Sequence, residues 1–379
     1  MKMKLWKRAS GAIKDRNSIW TANLKRRTAL HNPNMEVAVI KATSHDDSLI
    51  DYRNAWRVFA WIRVSPAYLS PFLRALYMRM DKTRSWVVAL KGLVLMHGVF
   101  FCGVPTVNNI GHLPFDLSNF KDGHLNPVEA SGYNALVRAY YEFLDKKSVF
   151  LSMDLQEGPE ESGEETGEQL PPVQEIARLQ KLQGLLDMLL CIKPRVLKPT
   201  NTSLIHEAID CIIIEIFDIY SRICNGIARV VLRICSARKA EATMAVTVLK
   251  KATVQGEELS LYLEFCRESG VLNASQCAKV KQVQEEDIRE LELIINSNLV
   301  KKEDTDDAGK DSVTAFDTII TDKWELFDED LVKVNGETCS FNIGKTTATK
   351  EDPSADSSTL PLIHLDANNE GSPDLISFL

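Results

Sequence analysis

The chain has 379 residues, 45% of them apolar, and a formal net charge of −7. That length accommodates two or three folded units or one long solenoid, and the apolar share is that of a chain that buries a core, which sets aside a wholly disordered polymer. The charge is unevenly placed: from Lys2 to Arg27 nine basic residues stand against the single acid Asp15, whereas the stretch from 301 onward is strongly acidic, so a polyanionic partner is expected at one end only.

Helical periodicity dominates from Ser10 to about Leu299, and strand-like alternation is nearly absent. In the basic head, Leu5, Trp6, Ala9, Ala12 and Ile13 share part of one helical face, with Lys7, Arg8, Lys14 and Arg16 around it. A basic amphipathic helix with a Trp near its start suits an anionic membrane interface, where each Lys or Arg contributes about 1 kcal/mol; a solvated helix packed on the body is the alternative. The spacing next predicts helices over Met35–Thr43 and Asp51–Val64, with a break at 43–47. Pro66 and Pro71 punctuate a short segment before a helix over Phe72–Met80.

Trp86 to Val104 is apolar all round, with Ser85 placed to cap it. It reads either as a membrane span or as a central buried helix. Lys91, His97 and the glycines at 92, 98 and 103 favour the buried helix, because a charge near mid-span costs about 2.5–3.5 kcal/mol. A helix from Pro127 to Phe150 follows. Short helices joined by short turns fit an α-solenoid better than a four-helix bundle. From Asp154 to Gln169, glutamates alternate with glycines and almost nothing apolar is available to bury, which predicts a flexible acidic loop. Long helical segments over Val173–Ile192, Ser203–Ser236 and about Ala237–Ser269 come next, with Gly226 a candidate break, and a last one runs over Ser275–Leu299. The expected units are therefore a superhelix over 1–150, an acidic loop over 151–172, a bundle over 173–300 and a disordered acidic tail over 301–379.

The eight cysteines are scattered, none at Cys-x-x-Cys spacing, and read as buried reduced thiols of a cytosolic protein. The sequons at Asn201 and Asn273 then carry no weight, and the N-terminus lacks a secretory apolar core. No phosphate-binding loop, dinucleotide fingerprint, nucleophile elbow or His-Glu-x-x-His is present, so neither an enzyme nor a cofactor is expected. His97 reads as a satisfied core residue. His112 and His124 fall in a Gly/Pro-containing loop region where they can meet, without supporting ligands for a metal. Nucleic acid is a poor partner, since the basic stretch lacks interleaved aromatics beyond Trp6 and Trp20.

The run Val37-Ala-Val-Ile-Lys-Ala-Thr-Ser-His-Asp resembles the Val-x-Lys-Ala-Thr-x-His/Glu signature of ANTH domains, the membrane modules of CALM-like clathrin assembly proteins. Ser85-Trp-Val-Val-Ala-Leu-Lys-Gly-Leu-Val-Leu-Met-His is similar to a second block of that family. Leu117-Ser-Asn-Phe and Tyr140-Tyr-Glu-Phe-Leu-Asp-Lys-Lys match later ones, and the opening Leu5-Trp-Lys-Arg-Ala…Gly11-Ala-Ile-Lys-Asp looks like the plant branch. The resemblance covers roughly residues 1–300. It implies an all-α fold: an α-superhelix extended by a helical bundle. It also implies binding of phosphatidylinositol bisphosphate and a tail that binds clathrin heavy chain, with SNARE cargo and other coat adaptors as further partners. The implied location is the cytoplasmic face of coated pits, clathrin-coated vesicles and the Golgi.

The family's lipid motif is a Lys, nine residues, then two alternating basic positions before His or Tyr. Lys41 fills the first position and Arg53 the last basic one, whereas Asp51 stands where a base belongs and Asn54 replaces His or Tyr. His45 follows Lys41 at the family spacing. A site of Lys41, His45 and Arg53 with a carboxylate in its middle implies weakened headgroup binding, shared with Lys14, Lys25, Arg26 and Arg27. In the tail, Leu375, Ile376 and Phe378 fit a clathrin box whose acid is replaced by the chain's end. Trp324, Leu326 and Phe327 are a second candidate for a coat or adaptor pocket, and the family's Asp-Pro-Phe and Asn-Pro-Phe tripeptides are absent. A membrane-surface SNARE- or cargo-sorting module that does not assemble clathrin is the other reading.

Overall fold

In the computed structural model the described residues are 2–25, 27–28, 31–157, 171–193, 202–233, 239–271, 274 and 289. They form ten α-helices: α1 (Lys2–Leu24), α2 (Pro33–Ala42), α3 (Tyr52–Val64), α4 (Leu69–Lys82), α5 (Trp86–Phe100), α6 (Pro105–Asn108), α7 (Pro127–Glu157), α8 (Pro172–Leu190), α9 (Thr202–Arg233) and α10 (Lys239–Glu268), with a 3-10 turn at Pro66–Tyr68 before α4. Among the described residues the only β feature is an isolated bridge between Thr28 and His31. The acidic tail, the two coat motifs expected in it and the last expected helical segment over 275–299, save Arg289, lie outside the described residues.

The packing follows chain order. α1 lies on α2, α2 on α3 and α4, and α3 and α4 on α5. α5 is the hub, buried from Trp86 to His97 on every side and touching α7 and α9 beyond its own layer. That settles the two readings of this segment: its uniform apolarity belongs to a helix surrounded by protein, and among the described residues no helix is long and apolar enough to cross a membrane. α7 continues the superhelix and also packs on α8, which with α9 and α10 makes the three-helix second half.

Several local expectations are corrected. Ser85 occupies the N-cap position of α5 but makes no side-chain cap bond; the Trp86 amide instead donates to Asp122 Oδ2 at 2.8 Å. α7 runs to Glu157, past the point where composition predicts an acidic loop, and Asp154 takes a two-pronged bond from Arg178 of α8 at 2.6 and 2.9 Å. α8 likewise starts at Pro172, inside the expected loop. Gly226 does not break α9, which runs through it. A Cβ there would sit 2.4 Å from Leu179 Cδ2 and 3.2 Å from Glu175 Oε1, so this glycine lets α9 close on α8. Cys102, Cys211, Cys224 and Cys266 are buried free thiols, and Cys191 is free and exposed.

The two halves meet around one buried charge. Glu215 of α9 receives Lys147 Nζ of α7 at 2.5 Å and lies 3.0 Å from His97 Nε2 of α5, while His97 Nδ1 is 2.7 Å from the Tyr140 hydroxyl of α7. Burial alone would raise the Glu215 pKa, but the Lys147 ammonium and the His97 contact outweigh it and hold the carboxyl at about 2. Burial keeps His97 below the ordinary imidazole value despite the Glu215 carboxylate. The isolated histidine of the sequence is thus a fully partnered core residue.

Removing one member leaves the others buried and unpaired, a loss of about 3–5 kcal/mol. Lys147→Met should therefore lower the thermal midpoint far more than exposed Lys251→Met does. Both depressed pKa values make the folded state bind fewer protons than the unfolded one. Stability is thus expected to fall as pH drops below 6.5, through His97, and again from 4.5 toward 2, through Glu215. Urea midpoints across that range check this, with Glu215→Gln flattening the lower limb.

Candidate functional site

The segment between α2 and α3 carries the residues expected to meet a headgroup. α2 starts at Pro33 with the Asn32 side chain accepting from the Asn34 and Met35 amides and ends one residue past Lys41, which is exposed. α3 starts at Tyr52, with Arg53 exposed in its first turn. Asp51, the acid where a base was expected, is the cap of α3: its Oδ1 accepts from the Asn54 amide at 3.2 Å and its Oδ2 from Asn54 Nδ2 at 2.6 Å. The two departures from the basic motif are therefore one local unit that starts a helix.

The connecting loop is held by four helices. Asp15 of α1 accepts His45 N at 2.8 Å on Oδ2, and its Oδ1 lies 2.7 Å from His45 Nδ1. Arg79 of α4 donates to the same Oδ1 at 2.6 Å, to the Thr43 carbonyl at 2.7 Å and to Thr43 Oγ1 at 3.2 Å. From below, Lys91 of α5 donates to the Leu49 carbonyl at 3.0 Å and to Ser44 Oγ at 3.3 Å. From α9, Glu207 Oε2 accepts the Ile50 amide at 3.2 Å. Gly11 allows α1 to approach, since a Cβ there would lie 2.6 Å from His45 Cβ.

Electrostatics divide along the same lines. Burial would raise the Asp15 pKa, yet His45 and Arg79 bring it below the ordinary carboxylate value. Burial pushes Lys91 down to about 8, against the pull of Asp46, Asp15, Asp47 and Asp51. Burial likewise drives Glu207 up to about 7.

Of the residues expected to bind lipid, Lys41, Arg53 and Arg27 are exposed, His45 is engaged by Asp15, and Lys25 pairs with Glu36 of α2 at 2.8 Å. Lys14 Nζ lies 3.5 Å from His124 Nε2. Arg26 is outside the described residues, as are the side chains of Leu5, Trp6, Lys7 and Arg8. Further along α1, Ile13, Trp20 and Leu24 are 61%, 67% and 66% exposed, an apolar stripe at helical spacing on the face opposite Gly11 and Ala22. His112 and His124 do not pair: His112 contacts Asp145 at 2.9 Å and His124 the Arg84 carbonyl at 3.0 Å. No grouping of metal ligands occurs among the described residues. Asp15, Arg79 and Glu207 were missed in the sequence, though Asp15 is the lone acid of the basic head.

An all-α superhelix extended by a bundle, with a presented loop between its second and third helices, defines an ANTH-type module. The ANTH domain model matches residues 34–297, and the chain belongs to the ANTH-domain family. Three Arabidopsis thaliana proteins, each named "Putative clathrin assembly protein", are similar to it. One is 47% identical over 99% of this chain and 100% of its own length. The others are 43% identical over 86% and 89%, and 35% identical over 80% and 85%.

Because Lys91 gives up its proton more readily when folded, stability should rise between pH 8 and 10.5. Lys91→Met is expected to remove that rise in urea midpoints while speeding amide exchange across 44–50. Asp15→Ala leaves the part-buried Arg79 guanidinium without its carboxylate and the His45 amide without its acceptor, and should cost about 1–3 kcal/mol, read as a lower thermal midpoint with faster exchange in α1.

Proposed function

We propose that this protein is a clathrin adaptor that docks on phosphoinositide membrane through its folded part and engages the coat through its tail. The observation that carries the membrane half is the pinned α2–α3 loop, with Lys41 exposed at one end and Arg53 at the other. Two cations on rigid helix ends contact an anionic headgroup at little ordering cost. Asp46, Asp47 and Asp51 lie in the same segment, so the headgroup site is weak by itself, and the exposed Ile13, Trp20 and Leu24 stripe with Arg27 adds interfacial contact. The names of the Arabidopsis relatives support the coat half, and the sequence offers Leu375, Ile376 and Phe378 as its contact, with Trp324, Leu326 and Phe327 as a second. The adaptor acts on the cytoplasmic face of coated membranes.

Sedimentation of the full chain with vesicles containing phosphatidylinositol bisphosphate tests the membrane half. Lys41→Glu with Arg53→Glu should weaken binding at least tenfold, since each lost cation near such a surface is worth about 1 kcal/mol and each reversal adds repulsion; unchanged binding would remove this loop from the account. For the coat half, capture by the clathrin heavy-chain terminal domain should drop when Pro373–Leu379 is deleted. Undiminished capture with Trp324 also replaced would leave the cargo-sorting reading.

A further inference from the structure

Three segments bring basic residues together on the surface: α1 with Lys14, the α4–α5 connection with Arg84, and the segment before α7 with His124. The His124 ring lies between the other two. Its Nδ1 is 3.0 Å from the Arg84 carbonyl and its Nε2 is 3.5 Å from Lys14 Nζ. A carbonyl only accepts and an ammonium only donates. Nδ1 therefore carries the proton, and Nε2 offers its lone pair to Lys14. The Gly123 amide donates to the same Arg84 carbonyl at 2.9 Å. The Arg84 Cβ and Cδ lie 3.2 and 3.4 Å from where a Gly123 Cβ would stand, so the Arg84 side chain runs over the residue next to His124. Lys14, Arg84 and His124 are all exposed.

The cluster thus sets an ammonium beside an imidazole, with the Arg84 side chain laid over the adjoining Gly123. The carboxylate beside it is turned elsewhere: Asp122 Oδ1 accepts the His124 and Leu125 amides at 2.7 and 2.9 Å, and its Oδ2 accepts the Trp86 amide at 2.8 Å. Those bonds fix the turn that presents His124. They also tie it to the start of α5, so the imidazole is held by rigid structure.

We propose that Lys14, Arg84 and His124 form a second anion site that takes a phosphate monoester, either a phosphoinositide headgroup phosphate or a soluble phosphate. On binding, His124 Nε2 takes up one proton from solvent and donates to a phosphate oxygen in place of accepting from Lys14. Lys14 turns its ammonium to a second oxygen, and the Arg84 guanidinium, suited to paired oxygens, covers the rest. Only the lipid source rests on the membrane-docking reading.

The test uses the full-length chain and two probes. Inorganic phosphate should raise the His124 pKa, followed by its ring resonances, by about one unit, as expected for an opposite charge in contact, and Arg84→Gln or Lys14→Gln should abolish that shift. An unmoved His124 overturns the proposal whatever vesicles show. In the second arm, Arg84→Gln with His124→Gln should reduce affinity for phosphatidylinositol bisphosphate vesicles roughly fivefold or more, and affinity for charge-matched phosphatidylserine vesicles much less. His124→Gln keeps a side-chain N–H donor for the Arg84 carbonyl. A phosphate shift with no difference between the vesicles supports the site and assigns it to soluble phosphate. If Lys41→Glu/Arg53→Glu leaves vesicle binding intact, the α2–α3 loop fails as the headgroup site while the His124 titration still decides this one.

Discussion

A carboxylate in a protein interior must be met by a cation and hydrogen bonds, or the helix carrying it cannot dock. Glu215 imposes that condition on the whole molecule. It lies on α9, its cation on α7 and its imidazole partner on α5, so the three helices assemble in the one register that brings Lys147 and His97 to it. α8 and α10 then have a fixed surface to pack on, where Gln183 donates to the Val248 carbonyl at 2.8 Å and Gln255 to the Gln183 carbonyl at 2.8 Å. Superhelix and bundle are one folded unit because their shared seam is polar and fully matched at its centre.

Much of the scaffold was legible because helical periodicity is a local property. The apolar runs placed nine of the ten helices among the described residues, and Lys91 and His97 correctly argued for protein around α5. What could not be read was pairing across the chain. Gly226 looks like a break until Leu179 of α8 is seen against it. Ser85 looks like a cap until Asp122, distant in sequence, takes that part. The extent of α7 depends on Arg178 meeting Asp154, which no acidic-loop composition reveals.

The candidate site divides in the same way. Lys41 and Arg53 were readable as a spaced basic pair, and the structure leaves both exposed. His45 was readable as a ligand type but is occupied by Asp15, thirty residues away in sequence. Asp51 shows two demands on one position. A base there would extend the positive surface, but a residue before α3 also has to accept an orphan amide, and in this chain the capping demand prevails. The positive surface at this end is thereby left to Lys41, Arg53 and the basic residues of α1, which the Asp15 contacts fasten to the loop.

α7 is an unbroken rod of 31 residues, about 46 Å at 1.5 Å per residue. Along it stand Tyr133, stacked on Trp86 at 4.1 Å, then Tyr140 and Lys147 at the seam, then Asp154 on Arg178. It is a beam bolted at three stations. Tension applied between the two ends of α7 travels through backbone hydrogen bonds in series with those bolts, so a pull on one end is delivered to the other with little stretch.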